Sequence, residues 1–357
     1  MLIISNKFKL QEKYGDDGFN SIRKYLLQLK DAIKDSEDID STIIFVDAPN
    51  EISNANLDPV SKNEPHEIQD LIKKFSETNG ELENLLIIGG HDIIPFHEIP
   101  DPLNDEDRLI VYSDSIYSTA DDDYLLTEWA VGRIPDSKSN NPKFLIDQIK
   151  NAIDAHQITS DVLSATGCTA KVWRLPSGRV YENIKMTDNL LISPLDRVSP
   201  DNLNNYVFHY FNLHGSDQTP TWYGDDSYSQ PIAVDTNTVD SSDVANSIVL
   251  SEACYGAFII DKTTDESMSL KYLEKGARCI VGSTAIAYGS SSRRLFAADM
   301  IADKFFRKVR SGMRFGEAFW KTKIEYYADN YGDARNDDYD AKTLIEFVLY
   351  GDPTLKK

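Results

Sequence analysis

Short apolar runs rich in β-branched residues alternate along this chain with amphipathic stretches, the pattern of a parallel α/β sheet with helices on its faces. Residues 2–5 predict a first strand, a helical stretch follows around 22–33, and 42–47 reads as strand again. A helix around 66–76 leads to 85–89, an almost wholly apolar run that ends in Gly89-Gly90. A strand apolar on both sides belongs where helices cover both sheet faces. Beyond the Asp-rich segment 101–123 come a strand at 129–134 and a helix from about 142 to 156, which complete a first α/β unit. A second unit opens with a strand at 162–166 and a helix near 181–190, and 293–347 reads as helical throughout. The split expected is therefore 1–157 and 158–357, with no internal repeat, low-complexity tract or long linker.

Three runs of the second unit, 207–213, 247–253 and 278–282, are strand-like and end in small or polar residues. The first runs into His214-Gly215-Ser216 and the second into Cys254-Tyr255-Gly256. Ligands of open α/β sheets bind beyond the carboxyl ends of strands, so both side chains are expected at the reactive edge. A thiol needs a base or a positive neighbour to become nucleophilic near neutral pH, and histidine supplies both. Gly215 lets backbone approach a substrate closely, and the N–H groups of Gly215 and Cys254 suit an oxyanion hole. Taken singly, Cys254 reads as a small buried residue and His214 as a turn histidine. Their equivalent placement, each beside glycine, favours catalysis.

Composition narrows the function classes. The 357 residues carry 58 acidic and 37 basic side chains, a formal net charge of -21, which repels phosphate backbones and argues against a nucleic-acid partner. No apolar run approaches the roughly 18 residues that span a bilayer, so no membrane association is expected. The start, MLIISNKFKL, reads as a strand and not as a signal peptide. Cys168, Cys254 and Cys279 form neither a disulfide framework nor a zinc site, which suits a reducing, cytoplasmic setting. A secreted mature fragment is the alternative.

Leu213-His214-Gly215-Ser216 and Glu252-Ala253-Cys254-Tyr255-Gly256 resemble the His-Gly and Ala-Cys-x-Gly motifs of the gingipain family. Further resemblances follow in family order: Leu85 to Pro95 with its Gly90-His91-Asp92, Tyr112-Ser113-Asp114-Ser115-Ile116-Tyr117, Ala130-Val131-Gly132-Arg133-Ile134-Pro135, Gly282-Ser283-Thr284 and the closing Tyr350-Gly351-Asp352-Pro353-Thr354-Leu355. The resemblance implies a caspase-like three-layer α/β/α fold with a mostly parallel sheet in two stacked subdomains. It also implies a cysteine endopeptidase: Cys254 would form an acyl-enzyme and His214 would protonate the leaving amine. In the family an acidic residue after the strand opening the second subdomain orients the histidine. Here that stretch, Ser164-Ala165-Thr166-Gly167-Cys168-Thr169-Ala170, holds no carboxylate. A backbone carbonyl, Thr166 or Thr169 would have to serve instead.

The family prefers a basic residue before the cut and reads it with an acidic pocket residue. The matching segment here carries Arg174 and Arg179, and the loop after Ser283 ends in Arg293-Arg294. An arginine in the pocket would bind a carboxylate bidentately and favour Asp or Glu at P1, whereas Asp217, Asp225 or Asp226 would restore a basic preference. The charge of P1 stays open between Asp/Glu and Arg/Lys. Trp222 and Tyr288 are candidate cleft walls, with packing as the plainer role. No cofactor is required. Asp121, Asp122 and Asp123 offer oxygens to calcium, though a solvated acidic loop explains them as well. Partners expected are a protein or peptide substrate and a regulator of unspecified kind. The rival functions are a catalytically quiet caspase-like binding module and a thiol acyltransferase or amidase; a phosphatase is disfavoured, since no Arg follows Cys254 at phosphate-cradling distance.

Overall fold

The computed structural model describes residues 1–51, 57–104, 109–158, 163–184, 190–331 and 337–357. The first half contains Leu2–Ser5 (β1), Lys7–Glu37 (α1), Thr42–Phe45 (β2), Pro65–Asn79 (α2), Asn84–Ile88 (β3), His97–Pro100 (β4), Ile110–Ser113 (β5), Ala130–Ile134 (β6) and Lys143–Ala155 (α3). Next come Ala165–Ala170 (β7), Arg174–Ile184 (α4), Leu190–Ser193 (β8), Phe208–Asn212 (β9), Thr221–Tyr223 (β10), Ile232–Asp235 (β11), Thr236–Asp240 (α5) and Ile248–Ser251 (β12). Met268–Glu274 (α6), Cys279–Ser283 (β13), Ala298–Arg310 (α7), Phe315–Asn330 (α8), Asp337–Glu346 (α9) and Phe347–Gly351 (β14) close the chain. Val162, where the second unit was expected to open, lies outside the described residues, as do residues 185–189 of the helix expected near 181–190.

One ten-stranded sheet, ordered β2-β1-β3-β6-β14-β13-β12-β9-β7-β8, carries the fold. Every neighbouring pair is parallel except β13 and β14, which meet antiparallel. The two halves therefore point opposite ways, and their carboxyl edges lie at opposite ends of the sheet. Side chains alternate between faces, as the period of a strand demands. Phe208, Tyr210, Ile248, Leu250, Cys279 and Val281 join a core with residues of α4, α7 and α8. Phe211, Val249 and Ile280 join a second core on the other face, with residues of β10, β11 and α6. The mostly parallel three-layer architecture is the expected one.

The chain does not divide into two separate sheets at 157/158. The sheet runs unbroken across that point, because β14, from the last residues, inserts beside β6 of the first half. Hydrophobic pattern alone left 347–351 unassigned as strand: all five residues are buried, and they follow α9 with no intervening turn signal. The short hairpins β4–β5 and β10–β11 were also missed. The helical reading of 293–347 holds for α7, α8 and α9 up to Glu346.

Three of the first-half motifs meet at one side chain. Arg133 is fully buried. Its Nε donates to Asp114 Oδ2 at 2.9 Å and its Nη1 to the Gly89 and Ile94 carbonyls at 2.7 and 2.8 Å. The guanidinium also lies 4.1 Å from the Phe96 ring centroid. A buried cation persists only when paired and hydrogen-bonded in this way, so these motifs are a folding device.

Candidate active site

β9 and β12 are parallel neighbours with Phe211 opposite Ser251. Their pairing runs one step further, with Glu252 N–H donating to Phe211 O at 2.8 Å. His214 and Cys254 each lie three residues beyond the matched pair Phe211/Ser251, so the register delivers them to the same carboxyl edge. Gly215 makes the junction tight. A Cβ there would sit 2.1 Å from the Cys254 carbonyl oxygen, a distance no side chain tolerates. Tyr255, immediately after Cys254, adopts the left-handed φ of 56° and donates its N–H to Ala285 O at 2.8 Å. Strained backbone of this kind marks a sharp turn that the surrounding structure over-determines.

Cys254 is partly exposed, whereas Cys168 and Cys279 are fully buried. Its thiol donates to the Ala287 carbonyl with Sγ at 3.7 Å. Burial pushes the thiol up to about 11, and the negative charge of Glu346 adds to the effect. His214 is held through its backbone, exchanging hydrogen bonds of 2.9 Å with Tyr223 in both directions. The Trp173 ring lies 4.5 Å from its imidazole. The imidazole Nε2 is 2.9 Å from Asp225 Oδ2. Thr166 donates to Asn202 O and Thr169 to Ala170 O, so neither threonine serves the imidazole. A carboxylate partner does exist, on the loop between β10 and β11.

A second carboxyl group sits two residues before the thiol. Glu252 is 5 % exposed and accepts the Tyr210 hydroxyl on Oε1 at 2.7 Å. Its Oε2 has no hydrogen-bond partner, nor has Oδ1 of the fully buried Asp299, and the charges of the two carboxyls act on each other. Asp299 Oδ2 accepts the N–H groups of Ser290 and Phe296 at 2.8 and 3.1 Å. Burial raises Glu252 well above the usual carboxylate range, and the charge of Asp299 raises it further. Burial likewise raises Asp299, to about 6, against the N–H groups of Ser290 and Phe296. Two buried acids that feel each other's charge cannot both ionise cheaply, which favours keeping one of them protonated. This interaction ties the nucleophile's strand end to the 285–297 loop that carries Ala287.

The proposed pocket residues scatter. Trp222 is 3 % exposed and packs in the core, 5.0 Å from the Phe211 ring. Ser283 is fully buried, its hydroxyl donating to Ala285 O at 2.9 Å. Tyr288 stands on the loop beyond Ala287, edge-on to Tyr339 at 5.0 Å. Arg174, Arg179 and Arg293 are exposed; Arg179 donates to the Arg293 carbonyl at 3.4 Å and Arg293 faces Glu182 at 3.8 Å. Asp121 Oδ1 accepts from Asp123 N–H and Thr119 Oγ1, and Asp123 Oδ1 accepts from Leu125 N–H. Asp122 is exposed on the same loop. Among the described residues no group of three or more His, Cys, Asp or Glu is gathered as a metal site. Asp299 and Trp173 carried no signal in the sequence, and Glu252 was legible only as part of a motif.

The family model for peptidase family C25 matches residues 3–357. No curated protein sequence matches. Among solved structures, the complex of Porphyromonas gingivalis RgpB pro- and mature domains is similar with a TM-score of 0.66 at 14 % identity, covering 99 % of this chain and 79 % of that one. The Arg-specific cysteine proteinase gingipain R (RgpB) follows with a TM-score of 0.65 at 16 % identity, over 99 % and 77 % of the two chains. At such identities these likenesses concern the fold.

Proposed function

The chain belongs to peptidase family C25 and is a cysteine peptidase; from that premise we propose an endopeptidase that works through a His214–Cys254 dyad and prefers a charged P1 residue. The observation that carries the dyad is the register of β9 and β12, which brings both residues to one edge three positions past a matched pair. The Cys254 sulfur attacks the scissile carbonyl as His214 takes the thiol proton. The oxyanion forms against the N–H groups of Gly215 and Cys254. Collapse to the acyl-enzyme passes that proton from His214 to the leaving amine, and water then releases the acid. A thiol near 11 is protonated at rest, so the proton must leave during attack; a standing thiolate does not form.

The substrate is a protein or peptide, and no cofactor enters the chemistry. The charge of P1 stays open between Asp/Glu and Arg/Lys: Arg179 and Arg293 stand together with Glu182 on the surface, which carries both signs of charge. A regulatory partner belongs to the proposal, since RgpB is described in a complex of its pro- and mature domains. A cytoplasmic setting, proposed from the sparse cysteines, completes it. A peptide library digested by wild type and by Cys254→Ala, with the cuts read by mass spectrometry, tests activity and P1 together. Cleavage by the Cys254→Ala variant at the wild-type rate, or peptide transfer to amines with none to water, defeats the endopeptidase reading.

A further inference from the structure

Resting on the peptidase reading above, we propose that Asp225 is the positioning residue for His214: it fixes the imidazole proton on Nε2 and so makes Nδ1 the base that serves Cys254. The Nε2 to Oδ2 distance of 2.9 Å is a hydrogen bond. Only the Nε2-protonated tautomer, or the imidazolium, donates across it, which leaves Nδ1 as the free lone pair in the neutral ring.

Asp225 is itself held. Its Oδ1 accepts the Ser227 N–H at 2.6 Å and its Oδ2 also accepts from Gln230 Nε2 at 3.0 Å. Its carbonyl accepts the Val172 N–H at 3.1 Å, tying the loop to the segment that places Trp173 against the imidazole. The Gly224 N–H donates to Pro231 O at 2.9 Å and closes the base of the same loop. Partial burial would raise the Asp225 carboxyl, but these donors together with His214 hold it below its ordinary range, so it is an anion at any working pH. Among the described residues Asp225 is the carboxylate bonded to the imidazole, and beside it lies the half-buried Asp226, on which the charge of Lys171 acts from the segment after β7. Asp225 is thus the anion that stabilises an imidazolium as the thiol proton arrives. It reaches the ring from the β10–β11 loop, because the segment at the end of β7 holds no carboxylate and its threonines are spent elsewhere.

Three variants, Asp225→Asn, Asp225→Ala and Asp225→Glu, separate positioning from support. Peptide hydrolysis is followed against pH, and the His214 ring is titrated by NMR, a readout that needs no turnover. Asp225→Asn should lower kcat on the order of 10²–10⁴-fold with KM little changed. The acid limb of kcat/KM and the His214 titration should both move to lower pH, since an imidazolium without its anion is less stable. Asp225→Glu should recover part of kcat. Wild-type kcat and an unmoved His214 titration in Asp225→Asn would overturn the proposal while leaving the peptidase reading intact. Should the wild type cleave nothing, that reading fails on its own, and the tautomer and titration of His214 still decide the role of Asp225.

Discussion

Glu252→Gln probes the buried carboxyl pair through stability. Burial raises both carboxyls, Asp299 to about 6 and Glu252 well above its ordinary range, so above about pH 6 the expected folded state has Asp299 ionised and Glu252 protonated. In the unfolded chain both groups titrate near their ordinary values of roughly 4 and are fully ionised. Folding above pH 6 therefore takes up one proton for this pair. A carboxyl raised on folding contributes stability that is complete below the unfolded value and falls as pH rises toward the folded one. Each pH unit costs about 1.4 kcal/mol while Glu252 stays protonated. Glutamine needs no proton. Its amide oxygen can accept the Tyr210 hydroxyl as Oε1 does, and its amine can donate to Asp299 Oδ1, which has no donor now. The stability of Glu252→Gln relative to wild type should rise with pH above 6, by about 1.4 kcal/mol for each pH unit over which Glu252 stays protonated. Urea denaturation followed by tryptophan fluorescence at several pH values measures the difference, and all uncoupled groups cancel in it. A difference independent of pH would refute the retained proton; so would one that favours wild type increasingly as pH rises.

Two further outcomes test the nucleophile's surroundings. Gly215→Ala places a methyl group 2.1 Å from the Cys254 carbonyl oxygen and must displace that backbone; kcat should fall about 10²–10³-fold, the usual cost of losing an oxyanion donor, while urea denaturation shows a fold still formed. Iodoacetamide should alkylate Cys254 well before Cys168 and Cys279, which burial raises to about 12 and higher still. The Cys254 rate should climb roughly tenfold per pH unit from 7 to 10, because the thiol sits near 11; a plateau below pH 8 would instead reveal a standing thiolate–imidazolium pair.

What the sequence made legible was local, and what it hid was long-range pairing. Apolar runs such as 85–89 and 247–253 announce buried strands by themselves, and the small and polar residues that end 207–213 and 247–253 mark the reactive edge. β14 does not announce itself, since its strand character comes from β6 and β13 on either side. The dyad was legible because each member ends a recognisable strand. Asp225 is not legible as the partner of His214, because it lies eleven residues further on, in a loop whose return depends on the β10–β11 pairing and on Val172. Pocket residues are ambiguous in sequence for a related reason. An aromatic side chain near a catalytic histidine has the same pattern whether it lines a cleft or fills a core, and only the packing of Trp222 on Phe211 decides.

The 285–297 loop joins the stability of the site to its resting chemistry. At one end Ala287 offers its carbonyl to the Cys254 thiol; at the other Ser290 and Phe296 are held by Asp299, whose charge acts in turn on Glu252. The thiol proton and the imidazole Nε2 thus have separate partners, Ala287 and Asp225. That arrangement favours a neutral dyad, because burying a charged thiolate against apolar strand ends costs more than keeping the proton. Attack on a substrate removes the thiol proton only as charge passes to the carbonyl oxygen, where the Gly215 and Cys254 N–H groups await it. Anything that shifts Asp299 would move Ala287 with its loop. Glu252→Gln keeps the loop's anchor while removing the retained proton, so it should leave the Cys254 alkylation rate at fixed pH close to wild type. Asp299→Ala, which frees Ser290 and Phe296, should change that rate.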